Sequence, residues 1–264
     1  MSDSREHNKA VDKHSRILAM DTSTSSMSVA VLEGNRMLEE VNSFAERNHS
    51  LYLLPIIQQL LGALNMQVSD LDGIAVGRGP GSYTGVRIGV TVGKTLAWAN
   101  RIPVIGVSSL EALSYGSRGM CKGERGDALS NEWIVPLMDA RRGQAYTALF
   151  RCRRDGSGWE RMAEDAVLLV EPWLQELKKR MTGEQLPERV VFVGELEKFT
   201  ELIHAFGEAA GVEVQISDRS IRAEHIGQLA FEQWSSGMQE DTHAFVPNYT
   251  QLAEAEVNLK AAKK

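Results

Sequence analysis

Glycines at positions 77, 79 and 81, then a beat of four through Gly85, Gly89 and Gly93, constrain this chain more than any other feature. They lie in the stretch 72–94, DGIAVGRGPGSYTGVRIGVTVGK, where the apolar run 74–76 meets the glycines and Pro80 before a helical pattern takes over across 82–100. The order is strand, glycine-rich turn, helix. Glycine loses more conformational entropy on folding than any other residue, so this density implies positive φ or a close approach to the backbone. Ser82 is placed as an N-cap, and the N–H groups at the helix start are open to an anion or another chain. Each interior glycine costs a helix about 0.8–1 kcal/mol relative to alanine. The bare stripe Gly85, Gly89, Gly93 and Ala97 therefore predicts a second helix lying unusually close, and we expect this helix to face a partner.

The flanking pattern fits an α/β layer. Apolar runs at 17–20, 27–32 and 37–44 read as an antiparallel meander. A helix follows over 47–64, with Leu51, Leu53, Leu54, Ile56, Ile57, Leu60, Leu61 and Leu64 spread over more than one face. Packing on one side needs a narrower stripe. Pro55 is tolerable near the first turns. After the glycine-rich stretch come a strand at 104–107 and a short helix at 108–115, so strands and helices alternate.

The polar stretch 116–131 marks a boundary or an excursion. Beyond it IVPLMDARRGQAYTALF aligns without a gap on ILAMDTSTSSMSVAVL, matching Met138 to Met20, Asp139 to Asp21 and Ala148 to Ala30. The shared shape of an apolar run, an aspartate, a polar turn and an alternating strand suggests duplication. Strands at 166–170, 190–193 and 212–216 and helices at 172–180, 198–210 and 220–237 complete a second α/β half. These readings predict a tail 1–16, a first lobe 17–118, a second lobe 119–245, and a segment 246–264 returning to the first lobe.

Composition bounds the function. The 264 residues are 43% hydrophobic and 24% charged, ordinary for a globular protein. The net charge of −6 disfavours a chain that binds nucleic acid as its main task and alone. Arg141, Arg142, Arg151, Arg153, Arg154 and Arg161 are a local exception, either a basic patch or solvated strand edges. Two cysteines, Cys121 and Cys152, fit a reducing compartment and cannot supply a four-thiolate zinc site. The polar start lacks the apolar core of a signal peptide, and no run is long enough to span a bilayer, so we expect a cytoplasmic protein without a membrane partner.

Chemical motifs are sparse. GVTVGKT is one residue short of a P-loop and lies inside a helix, and Gly77, Gly79 and Gly81 miss the dinucleotide spacing. The six histidines stand singly, so no metal centre is expected; no cofactor is expected either, with weak nucleotide binding at a lobe or subunit boundary left open. No serine sits in a nucleophile elbow. Asp21 and Asp139, each ending a strand before a polar turn, either hold a magnesium nucleotide in a duplicated fold or start turns through their side chains. A stand-alone phosphotransferase using these aspartates, or a peptidase, is the competing functional reading.

ILAMDTSTSSMSVAVL, HSLYLLPII, GIAVGRGPGSYTGVRIG, IPVIGVSSLEAL, PLMDARRGQAY and PNYTQLAEAE together resemble the TsaB (YeaZ) family of tRNA threonylcarbamoyladenosine biosynthesis, across nearly the whole chain beyond residue 16. The resemblance implies two related α/β lobes of the actin/Hsp70/sugar-kinase type, each a mixed sheet with helices. TsaD, the catalytic relative, carries an HxxxH pair after the strand that follows the glycine-rich helix. Here that place holds Ser109 and Leu113, which implies a non-catalytic subunit. The implied partners are TsaD as a heterodimer, the ATPase TsaE, a second copy when alone, and tRNA through the complex at the adenosine beside the anticodon. The pairing surface so implied is His49, Tyr52, Leu53, Ile56, Gln59 and Leu60 on the first helix, with Tyr83, Arg87, Val90 and Lys94 on the second.

Overall fold

The computed structural model describes residues 11–44, 48–117, 131–152, 158–181 and 186–250. The first ten residues of the expected tail, the expected helix start at 47, Cys121 with most of the 116–131 excursion, Arg153 and Arg154, and the chain end from 251 lie outside them. Among the described residues, 11–116 with 220–247 form one compact unit and 117–219 with 248–250 another.

The first unit is built on β1 (Arg16–Asp21), β2 (Ser26–Glu33), β3 (Arg36–Phe44), β4 (Gly73–Gly77) and β5 (Val104–Val107), ordered β3-β2-β1-β4-β5. β1 is antiparallel to β2 and parallel to β4, and Ile17, Leu18, Ala19 and Met20 are all fully buried. A central strand covered on both faces must be apolar at every position, which is why 17–20 does not alternate. Leu18 and Met20 join Val29, Leu53, Ile57, Leu60, Val86 and Val90 in one core, beneath α1 (His49–Ala63) and α2 (Tyr83–Asn100). α3 (Ser109–Tyr115) follows β5, with Ser108 as N-cap accepting from the Glu111 N–H at 3.2 Å.

The second unit repeats this plan. β6 (Glu132–Asp139), β7 (Gln144–Cys152), β8 (Trp159–Leu169), β9 (Arg189–Gly194) and β10 (Glu213–Ser217) are ordered β10-β9-β6-β7-β8, the first order with each strand replaced by its counterpart. α4 (Val170–Arg180) stands between β8 and β9 as α1 stands between β3 and β4, and α5 (Thr200–Ala210) between β9 and β10 as α2 between β4 and β5. Two mixed sheets with one topology are the duplicated α/β architecture expected from the sequence.

Two elements differ from the sequence reading. β8 is much longer than 166–170, because the charges that disguise its first half are paired: Glu160 with Arg151 at 2.5 Å and Asp165 with Arg161 at 2.6 Å. α6 (Ala223–Ser235), expected in the second lobe, packs on the first sheet. Its Ile226, Leu229, Ala230 and Trp234 are buried, and a Cβ on Gly227 would stand 2.2 Å from Leu32 Cδ1. Helical periodicity reveals an apolar face but not which sheet it covers. β1 and β2 present a second apolar face, and α6 fills it. The chain then adds a bridge between Glu240 and Val104 and buries Phe245 in the first core.

Candidate protein-docking site

The glycine-rich loop is closed on its own unit. A Cβ at Gly85 would lie 2.1 Å from Thr22 O, at Gly89 2.6 Å from Thr22 Oγ1, and at Gly93 2.3 Å from Val76 Cγ2. The stripe expected to receive a partner helix instead lets α2 settle onto β4 and the turn after β1. The reading of close approach was correct in kind and wrong in partner. Ser82 caps α2 as expected, accepting from the Gly85 N–H at 3.3 Å. At Gly79, φ is +89°, which a side chain would strain.

Asp21 anchors this loop from below. Its Oδ1 accepts from the Ser23 N–H at 2.8 Å and the Ser23 hydroxyl at 2.7 Å, while Oδ2 accepts from the Ser109 hydroxyl at 2.6 Å. Ser109 Oγ in turn accepts from the Gly79 N–H at 3.1 Å. Burial pushes the Asp21 carboxyl above its ordinary value, against the opposing pull of the Ser109 and Ser23 hydrogen bonds. Gly77 is required here, because its Cβ would fall 1.8 Å from Asp21 Oδ2. Asp139 makes the same turn in the second unit, accepting from the Arg141 N–H at 2.8 Å. Burial raises its carboxyl as well, but the Lys198 ammonium bonded to it and the Arg141 N–H outweigh that and hold it below the usual range. Both aspartates therefore use their side chains to start turns, one of the two alternatives read from the sequence.

Residues expected on a pairing surface divide sharply. Leu53 and Leu60 are 1% exposed and Val90 4%, so they belong to the core and cannot meet another chain. His49 is also buried, its Nε2–H donating to Thr24 O at 2.8 Å and tying the start of α1 to the β1–β2 turn. Lys94 is half-buried and spent within the unit, donating to His243 O at 2.7 Å and Phe245 O at 3.3 Å. Ile56 is half-buried against the core. Tyr52, Gln59, Tyr83 and Arg87 remain exposed, with the Arg87 guanidinium 4.9 Å from the Tyr83 ring centre.

Two residues missing from the expected set complete the face. Leu51 is 66% and Leu54 48% exposed, beside Tyr52 and Pro55 on the first turns of α1. Leu53, Ile57, Leu60 and Leu61 form the inward stripe at helical spacing, and this phase assigns Leu51 and Leu54 outward. The signal was in the sequence once that stripe is subtracted. α1 and α2 pack against one another, so Tyr83 and Arg87 at the start of α2 extend the exposed surface. Exposed aliphatic and aromatic side chains grouped on rigid helices are what a protein–protein contact needs at its centre. Among the described residues no group of His, Cys, Asp or Glu is arranged to hold a metal ion, and no helix is long and apolar enough to cross a membrane.

The fold and this face together define a duplicated α/β protein of two mixed sheets with helices, with its loop packed internally and an apolar helical surface outward. A family model described as TsaD, tRNA N6-adenosine threonylcarbamoyltransferase, matches residues 41–259. The tRNA threonylcarbamoyladenosine biosynthesis protein TsaB of Bacillus subtilis is 34% identical over 94% of this chain and 99% of its own length. The Escherichia coli TsaB is 35% identical over 64% of this chain and 68% of its own. A solved structure described as YeaZ from Pseudomonas aeruginosa shares 28% identity with a TM-score of 0.68, covering 89% of this chain and all of that one, 100%. The chain belongs to the TsaB (YeaZ) family.

Proposed function

We propose that this chain serves tRNA threonylcarbamoyladenosine biosynthesis as a non-catalytic subunit, docking on a TsaD-type transferase through the exposed face of α1 and the start of α2. The observation that carries this reading is the cluster Leu51, Tyr52, Leu54 and Tyr83, each about half exposed or more on packed helices of a TsaB-family chain. Two further facts support it. Ser109 and Leu113, where the catalytic relative has its histidine pair, are committed to the fold: Ser109 binds Asp21, and Leu113 is buried. Asp21, the residue a phosphotransferase would need open, has both oxygens occupied in the interior.

The chain acts by differential binding. If the docking face fits one transferase conformation better than others, association shifts the transferase towards it by as much as the affinities differ. The same face pairs two copies of this chain when the transferase is absent, and TsaE joins the complex as its ATPase. The test is reconstitution with TsaD, TsaE and unmodified tRNA, omitting each in turn. Modification that requires this chain, with none from the chain alone, is the expected result. Undiminished modification without it contradicts the proposal.

A further inference from the structure

The two units treat their equivalent hairpins in opposite ways. In the first, the start of the turn after β1 is packed inward: Thr22 and Ser23 are buried, and Thr22 Oγ1 donates to Gly85 O at 2.7 Å, leaving Ser25 exposed at the tip. In the second, the turn between β6 and β7 is exposed and holds Arg141 at φ +68°, Arg142 at φ +55° and Gly143 at φ +73°. The Gln144 N–H bond to Arg141 O makes Arg142 and Gly143 the central pair of the turn; glycine fits its place, while arginine at 141 and 142 carries the steric penalty of a Cβ at positive φ, where Asn or Gly is tolerated. Neither guanidinium makes a hydrogen bond or ion pair among the described residues, and the Arg141 charge reaches Asp139 only through space, behind Lys198 and the Arg141 N–H. Arg151, Arg161, Arg180 and Arg189 of the same unit each face a carboxylate. Asp139, the acid nearest the turn, has its charge answered by Lys198 and by the Arg141 N–H. The backbone itself is braced, with Gln144 N–H donating to Arg141 O at 2.9 Å and Val170 N–H to Gly143 O at 3.0 Å.

We propose that the Arg141–Arg142 turn is an RNA-contacting element that grips the phosphodiester backbone of the RNA substrate. The proposal rests on the functional reading above. A chain of net charge −6 gains little from long-range attraction, so phosphate recognition must be local. Guanidinium groups are suited to it, pairing with phosphate oxygens through two parallel hydrogen bonds. Held on a rigid turn between paired strands, they lose less freedom on binding than side chains on a loose loop would.

The test compares the parent with Arg141→Asn/Arg142→Asn, which removes both guanidiniums, puts at each positive-φ position a residue that tolerates it, and makes Asn-Gly of the central pair with Gly143. Both are assembled with the transferase, and RNA affinity is measured against salt. Parent assembly and RNA binding come first; a parent chain that never joins the complex removes the functional reading and this proposal together. With the complex intact, the variant should bind RNA about tenfold more weakly, and its log–log salt slope should flatten by about 1.5, two contacts' worth. Its melting temperature should rise by about 2–4 °C as the strain is relieved. Unchanged RNA affinity and slope overturn the proposal while leaving complex formation standing. So does a fall in both affinity and melting temperature, which would mark a structural role. Lost ATP affinity with RNA binding intact would assign the turn to a nucleotide and overturn it as well.

Discussion

Gly62 and Gly93 show that one residue type carries opposite consequences in adjacent helices. Gly93 stands where a methyl group would sit 2.3 Å from Val76, whereas Gly62 has nothing within 4 Å. Gly62→Ala should stabilise the protein by about 0.5–1 kcal/mol through helix propensity alone. Gly93→Ala gains the same term but must push α2 off β4, and should destabilise by about 2 kcal/mol net. Denaturant melts of both variants check the contrast. Ser109→Ala belongs to the same scale: it removes a donor from buried Asp21 and the acceptor of the Gly79 N–H, and should cost about 2–3 kcal/mol. The cap at Ser82 could be read directly from the sequence, because capping is local chemistry. The glycine stripe could be read only in part. Spacing reports that something approaches closely, and whether that body is another helix or the chain's own strand depends on tertiary packing.

α1 and α6 are amphipathic helices with different destinations, and each supports a prediction. On α1, Leu54→Glu should leave the melting temperature within about 1 °C, since the side chain is 48% exposed. The same charge at Val90, 4% exposed, should unfold the first unit rather than merely block pairing. α6 is fastened at its start by Glu40 of β3, whose carboxylate accepts from Arg222 Nε at 2.8 Å and from the Glu224 N–H at 2.9 Å. The Glu40 side chain is only 2% exposed, while Arg222 is 46% exposed and partly screened. Burial pushes the Glu40 carboxyl up, but the Arg222 hydrogen bonds and the Glu224 N–H prevail and hold it below its ordinary value. The folded state thus binds this proton less tightly than the unfolded chain. The stabilisation is complete above the ordinary glutamate value and disappears as pH falls through the folded one. Glu40→Gln should cost about 2 kcal/mol at neutral pH, less than a fully buried pair because Arg222 is half in water. The gap should close on acidification below about pH 4, and melts across that range test the sign.

For the molecule as a whole, duplication was the strongest inference the sequence allowed. The alignment of Asp21 with Asp139 placed both at strand ends, and the two sheets share one strand order around them. The lobe boundary was harder, because α6 returns to the first sheet from a distant part of the chain and no local pattern records the return. The proposed docking face was half legible. Tyr52, Gln59, Tyr83 and Arg87 are outward, but Leu53, Leu60, Val90 and His49 were needed inside, and hydrophobicity alone does not distinguish a core leucine from an interface one.

The central claim is that α1 carries the docking surface, and the affinity of the Leu54→Glu chain for TsaD tests it most directly by sedimentation at matched concentrations. A buried charge without a partner at the centre of such a contact should weaken association at least tenfold, with the melting temperature unchanged. Association at parental strength by a folded variant would contradict the account and place the partner's contact elsewhere on the molecule.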